Sequence, residues 1–152
     1  MPAPLSSPWI LMVEDEAIIR ECNTLALSGA GYRVHAVGEA LAGWKALQAR
    51  SFDILITDNR MPGELSGTDL ILKVRTARMN LPVILASGSI VPDLVAANSP
   101  LQPVTPLPKP FTAGQLLVLV AKVLRAANRS RAGRGDSART AGESCLHWGL
   151  NE

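Results

Sequence analysis

The sequence predicts an α/β fold: a doubly wound sheet of five parallel strands with helices on both faces. Three observations carry that expectation. Short apolar runs alternate five times with stretches whose apolar residues recur at helical spacing. The first and fourth runs contain no polar member, as suits strands buried on both faces, and strands joined through helical crossovers lie parallel in one sheet. Polar residues close the runs or stand just past them: Glu14-Asp15, Asp58, Ser87 and Lys109.

The first run, residues 9–13, stops at Glu14-Asp15-Glu16. The apolar period then changes, and Ile18/Ile19, Cys22 and Leu25/Ala26 predict the inward face of a helix that exits at Gly29 and Gly31. Residues 32–37 alternate like a strand near an edge, and residues 39–49 carry Leu41, Trp44 and Leu47 at helical spacing. A third strand over 52–57 ends at Asp58, followed by a helix over 68–78 with Leu70, Ile71 and Val74 inward. The fourth strand, 81–86, ends at Ser87.

Beyond it Pro92, Pro100, Pro103, Pro106 and Pro108 leave only residues 93–98 for a turn or two of helix. Proline lacks the amide donor and pushes the preceding residue out of helical geometry, so the fourth helix region is atypical and proline-rich. A short strand over 104–107 precedes Lys109-Pro110, and Thr112 caps a last helix with Leu116, Val120 and Val123/Leu124 inward. The division is therefore a lead over 1–7, one domain over 8–127 and a disordered tail over 128–152, where Arg, Ser, Gly and Ala follow no apolar period.

The 152 residues suffice for one packed domain. Residues 1–124 hold ten acids and ten bases, and 125–152 hold five arginines against three acids, so the formal excess of +2 sits in the tail. A neutral folded part argues against a broad nucleic-acid-binding face. Cys22 and Cys145 show no disulfide or metal spacing and read as a core thiol and an incidental one. No apolar stretch nears the roughly 18 residues of a membrane span, and the start lacks the basic residues of a secretory signal, so the expected location is cytoplasmic, with no membrane partner.

In open parallel sheets ligands bind beyond the carboxyl ends of the strands, where Glu14, Asp15, Asp58, Ser87 and Lys109 all fall. Three carboxylates crowded together repel one another, and a divalent cation keeps them ionised; all-oxygen ligation suits Mg2+. A carboxylate in such a site can attack phosphorus, with a lysine and a hydroxyl stabilising the transferring oxygens. Alone, Asp58 would read as a turn aspartate and Lys109 as a solvated charge; the constellation gives them chemistry. Asp53 and Asp69, outside it, read as a strand-start charge and a solvated helix position.

Val13-Glu14-Asp15-Glu16, Thr57-Asp58-Asn59-Arg60-Met61-Pro62-Gly63, Leu85-Ala86-Ser87 and Lys109-Pro110-Phe111 together resemble the response-regulator receiver domain of two-component signalling, over residues 8–127. The resemblance implies the flavodoxin-like receiver fold and phosphorylation of Asp58 by a histidine kinase or histidine phosphotransfer protein. It implies that Asp15, Asp58 and the main-chain carbonyl of Arg60 ligate Mg2+, with Glu14 acting through water, and that Ser87 and Lys109 bind phosphoryl oxygens. It also implies a cis peptide at Lys109-Pro110 that aims the lysine inward.

The chain departs from the pattern at Pro106, where receivers carry an aromatic ring that swings inward with the hydroxyl residue. Readout is therefore expected from another movement, that of the Ser87 to Pro103 segment, or else phosphate is passed onward without a large switch, and Arg60 is expected to modulate the lifetime of the aspartyl phosphate. The tail is too short and polar for a DNA-binding output, so the reading is a single-domain phosphorelay protein acting on an unknown downstream protein, not an enzyme. Two rivals stand beside it: a phosphate-independent binding module of the same fold, and an aspartyl phosphatase, which would need an acid where Arg60 stands.

Overall fold

Side chains alternate across a strand, so each apolar run supplies two faces at once. A computed structural model describes residues 6–89 and 92–147, with side chains through residue 133. Its strands are β1 Trp9–Val13, β2 Arg33–Val37, β3 Ile54–Asp58, β4 Val83–Ser87 and β5 Val104–Pro108. They form one sheet in the order β2-β1-β3-β4-β5, and every neighbouring pair is parallel. The helices are α1 Ala17–Gly29, α2 Ala40–Ala49, α3 Gly67–Thr76, α4 Pro92–Val95 and α5 Ala113–His147.

Ile10, Met12, Ile54, Ile56 and Ile84 face Leu27 of α1 and Leu116, Val120 and Leu124 of α5. Leu11, Val13, Leu55, Val83 and Leu85 face Leu47 of α2 and Leu70, Ile71 and Val74 of α3. Each such side chain contributes about 1.5–3 kcal/mol on burial. The sheet is thus doubly wound as expected, and its order reverses beside β1: the chain leaves β1 for α1 on one face and β3 for α3 on the other, which opens a crevice between their carboxyl ends.

Prolines in β5 are tolerated because it is an edge strand. Lys109 donates its amide to Ser87 O at 2.9 Å, so odd-numbered amides point toward β4. The nitrogens of Pro106 and Pro108 consequently face outward, as does Val104 N, which donates to the Gln102 side chain at 2.9 Å. Both Gln102-Pro103 and Lys109-Pro110 are cis.

Several expectations are corrected. In α1, Ile18 and Leu25 are 78% and 66% exposed and Cys22 is exposed, so that part of the predicted inward stripe faces outward while Ile19 and Ala26 are half-buried, and Cys22 is no core thiol. The helix is rotated so that Leu27 enters the core and Arg20 meets the loop after β1. Leu41 of α2 is likewise exposed, while Ala40, Gly43 and Leu47 are buried. Asp69 is no merely solvated position: it forms a capping box with Ser66 at the start of α3. α5 continues from residue 128, the expected start of the disordered tail, to His147, a stretch without proline. Residues 1–5 of the expected lead and 148–152 of the expected tail lie outside the described residues.

The shortened α4 is a single four-residue element, as the prolines dictate. The chain after it is tied by side chains rather than by helix. Arg75 of α3 donates to Leu101 O at 2.9 Å, Met79 O at 2.9 Å and Pro103 O at 2.6 Å. Gln102 donates to Val95 O and Ala96 O at 2.9 and 3.0 Å.

Candidate functional site: an acidic crevice at the strand ends

β1 ends on Val13, and Glu14 remains in sheet register by donating its amide to Val37 O at 3.0 Å. Its side chain is 5% exposed, and one carboxylate oxygen accepts from the Glu16 amide at 3.2 Å. Asp58 closes β3 on the adjacent strand. Carboxylate oxygens of Glu14, Asp15 and Asp58 lie within 4.8 Å of one another.

Lys109 reaches this cluster from the loop after β5. Its ammonium donates to Asp58 Oδ2 at 2.7 Å and to Glu14 Oε2 at 3.4 Å. Burial acts first on both charges: it pushes the Glu14 carboxyl above the ordinary carboxylate range, with the neighbouring Asp58 charge adding to the rise and the Glu16 amide and Lys109 opposing it. Burial lowers Lys109, but the hydrogen bond and charge of Asp58, together with Glu14, outweigh it and leave the ammonium above its usual value.

Tight backbone packing fixes Asp58. The Asn59 amide donates to Ala86 O at 3.1 Å, and the Gly67 amide returns to Asn59 O at 3.0 Å. The Thr57 hydroxyl donates to Asp58 O at 3.0 Å, and the Thr68 hydroxyl donates to the Asn59 side chain. None of Asn59, Gly67 and Thr68 stands out as a site residue in the sequence. The Ser66-x-x-Asp69 spacing does signal a capped helix start here.

Ser87 stands at the end of β4 beside the cluster, but its hydroxyl donates to Ser89 O and accepts from Ser89 N, both at 3.1 Å. Arg60 is exposed in the loop after β3, and Pro106 is exposed on the edge strand. Of the residues predicted for the site, the structure therefore gathers Glu14, Asp15, Asp58 and Lys109. Ser87 is adjacent with its hydroxyl turned onto its own loop.

The chain matches the family model of the response regulator receiver domain over residues 10–121. It belongs to the response regulator receiver family. The receiver is 35% identical over 115 residues to the DNA-binding transcriptional regulator NtrC of Bradyrhizobium sp. (strain RP501 Parasponia), covering 76% of this chain and 24% of that protein. It is 35% identical over 124 residues to the sensor kinase CckA of Brucella abortus, covering 78% of this chain and 13% of that one. The receiver thus spans about a quarter or less of the length of these relatives. A solved response regulator receiver protein from Sinorhizobium medicae superposes with a TM-score of 0.70 at 28% identity, covering 80% of this chain and 98% of that one. A CheY-like receiver domain protein from Methanospirillum hungatei shares the fold, with a TM-score of 0.73 at 22% identity, covering 82% and 99%.

The acidic donors fit the divalent cation typical of receivers. All three are carboxylates, they converge from two neighbouring strand ends, and the burial that raises Glu14 is relieved by positive charge. Among the described residues no other group of three or more acidic, histidine or cysteine side chains is so placed. No helix among them is long and apolar enough to cross a membrane.

Proposed function

We propose that this receiver is reversibly phosphorylated on Asp58 in a phosphorelay, taking the phosphoryl group from a histidine kinase or histidine phosphotransfer protein. The observation that carries the reading is the convergence of Glu14, Asp15 and Asp58 with Lys109 hydrogen-bonded to Asp58. An Asp58 carboxylate oxygen attacks phosphorus and the P–N bond to the donor imidazole breaks, giving an aspartyl phosphate and returning the electron pair to the ring nitrogen. Lys109 moves its hydrogen bond from Asp58 to a phosphoryl oxygen, and the Ser87 hydroxyl leaves Ser89 to donate to another. Asp15, Asp58 and the Arg60 carbonyl would hold Mg2+, with Glu14 acting through water. When bound, Mg2+ supplies positive charge against the charge spreading over the phosphoryl oxygens.

Incubation with Mg2+ and acetyl phosphate tests this. The expected result is one base-labile adduct per chain, absent from Asp58→Asn and from samples in EDTA. No adduct in the wild-type protein would sink the reading. It would favour the rival, a binding module independent of phosphate, which the Ser87–Ser89 hydrogen bonds and the ring-free Pro106 support. Continuous phosphate release at high turnover would instead revive the phosphatase.

Arg60 modulates the lifetime of the adduct by contacting the phosphoryl group or limiting water at the crevice mouth. Arg60→Ala is expected to change the dephosphorylation rate several-fold; an unchanged rate in a decay assay removes this role.

A further inference from the structure

We propose that Arg20 is a positioning residue that clamps the acidic loop for cation binding; the inference rests on the metal-binding part of the function proposed above. Arg20 lies one turn into α1, and its Nη1 donates to Glu14 O at 2.8 Å and to Asp15 O at 3.5 Å. The guanidinium thus holds the carbonyls of the very two residues whose side chains enter the crevice. Among the described residues it makes no ion pair with a carboxylate within 4.0 Å.

That division of labour matters physically. Glu14, Asp15 and Asp58 repel one another, and the strain of holding them together falls on the loop after β1. Lys109 already pairs with Asp58 and Glu14, and a second side-chain cation on the carboxylates would compete further for the oxygens that a divalent ion needs. Arg20 brings its charge to the backbone instead, fixing the loop and leaving the side-chain oxygens available. Arginine suits the task because its planar fork remains charged and holds its geometry.

Gly38 makes room for the clamp. A Cβ at this position would lie 2.9 Å from Arg20 Nη1, 3.6 Å from its Cζ and 3.9 Å from Glu14 O. Gly38→Ala therefore disturbs the guanidinium without deleting it and without touching a carboxylate.

Calorimetric titration of the full chain with Mg2+ tests the proposal on wild type, Arg20→Ala, Arg20→Lys and Gly38→Ala, beside thermal melts in EDTA. Mg2+ affinity is expected to fall about ten-fold in Arg20→Ala and about three-fold in Gly38→Ala, with partial recovery in Arg20→Lys and melting points in EDTA close to wild type. Equal Mg2+ affinity across the set overturns the clamp. So does a drop in melting temperature in EDTA that tracks the affinity loss, because Arg20 would then serve folding alone. Absence of Mg2+ binding in the wild-type protein overturns the metal reading itself, a result distinct from either.

Discussion

A Cβ built on Gly67 would stand 1.8 Å from the Asp58 carbonyl oxygen, well inside contact distance, and 3.0 Å from the Thr57 hydroxyl. Only glycine lets α3 begin so close to the end of β3, and that approach fixes the backbone beneath Asp58. Gly67→Ala is expected to destabilise the fold by about 2 kcal/mol, as overpacking of a rigid backbone contact does, and to slow adduct formation at Asp58. Gly29→Ala has nothing within 4 Å of the added methyl and is the matched control; urea unfolding distinguishes the two. At this scale the sequence made the charged members of the crevice legible, because apolar runs interrupted by acids are conspicuous. It could not reveal the Ser87 hydroxyl's partner, since Ser89 competes for it through local backbone geometry that no side-chain pattern encodes.

Helix phase was the least legible property of the elements. In α1 the Ile18/Cys22/Leu25 row is the continuous apolar one, whereas the row ending at Leu27 runs through Arg20, Asn23 and Thr24, so apolar spacing alone points to the wrong face. The choice follows from Leu27 packing against the sheet and Arg20 bonding the loop. In α3 one row only, Leu70, Ile71 and Val74, is available, and it is fully buried as expected. The start of α3 carries its own pH signature. Hydrogen bonds from the Ser66 amide and hydroxyl hold the Asp69 carboxyl below its usual range, so its contribution to stability is present above the ordinary aspartate pKa and lost as pH falls through the depressed value. Asp69→Asn should therefore be less stable than wild type near neutral pH, by about 0.5–1 kcal/mol for an exposed cap, and the gap should close in acid. A gap that persists unchanged at low pH would show that the carboxylate charge is not its source.

Across the whole molecule, the acidic crevice sits at one end of the sheet while Arg75 and Gln102 secure the irregular chain between α4 and β5. Burial lowers the Arg75 pKa, yet three carbonyls accept its hydrogen bonds, and its loss removes the donor from that of the buried Leu101 and from those of Met79 and Pro103. Arg75→Ala should increase amide exchange over residues 95–104 and leave β1 and β3 protected. In the wild-type protein a phosphoryl mimic such as beryllofluoride should alter exchange in the segment following Ser87; changes confined to the strand-end crevice would refute a moving segment as the readout. Architecture was legible in the sequence because β-α alternation leaves few topologies, whereas this side-chain lattice was not, since Arg75 and Gln102 look like ordinary surface residues. The outward prolines of β5 have a further consequence for assembly. With no amide to offer at 106 or 108, that border of the sheet lacks two donors that an added strand would pair with, which blunts it against strand-by-strand growth into a fibre from that side.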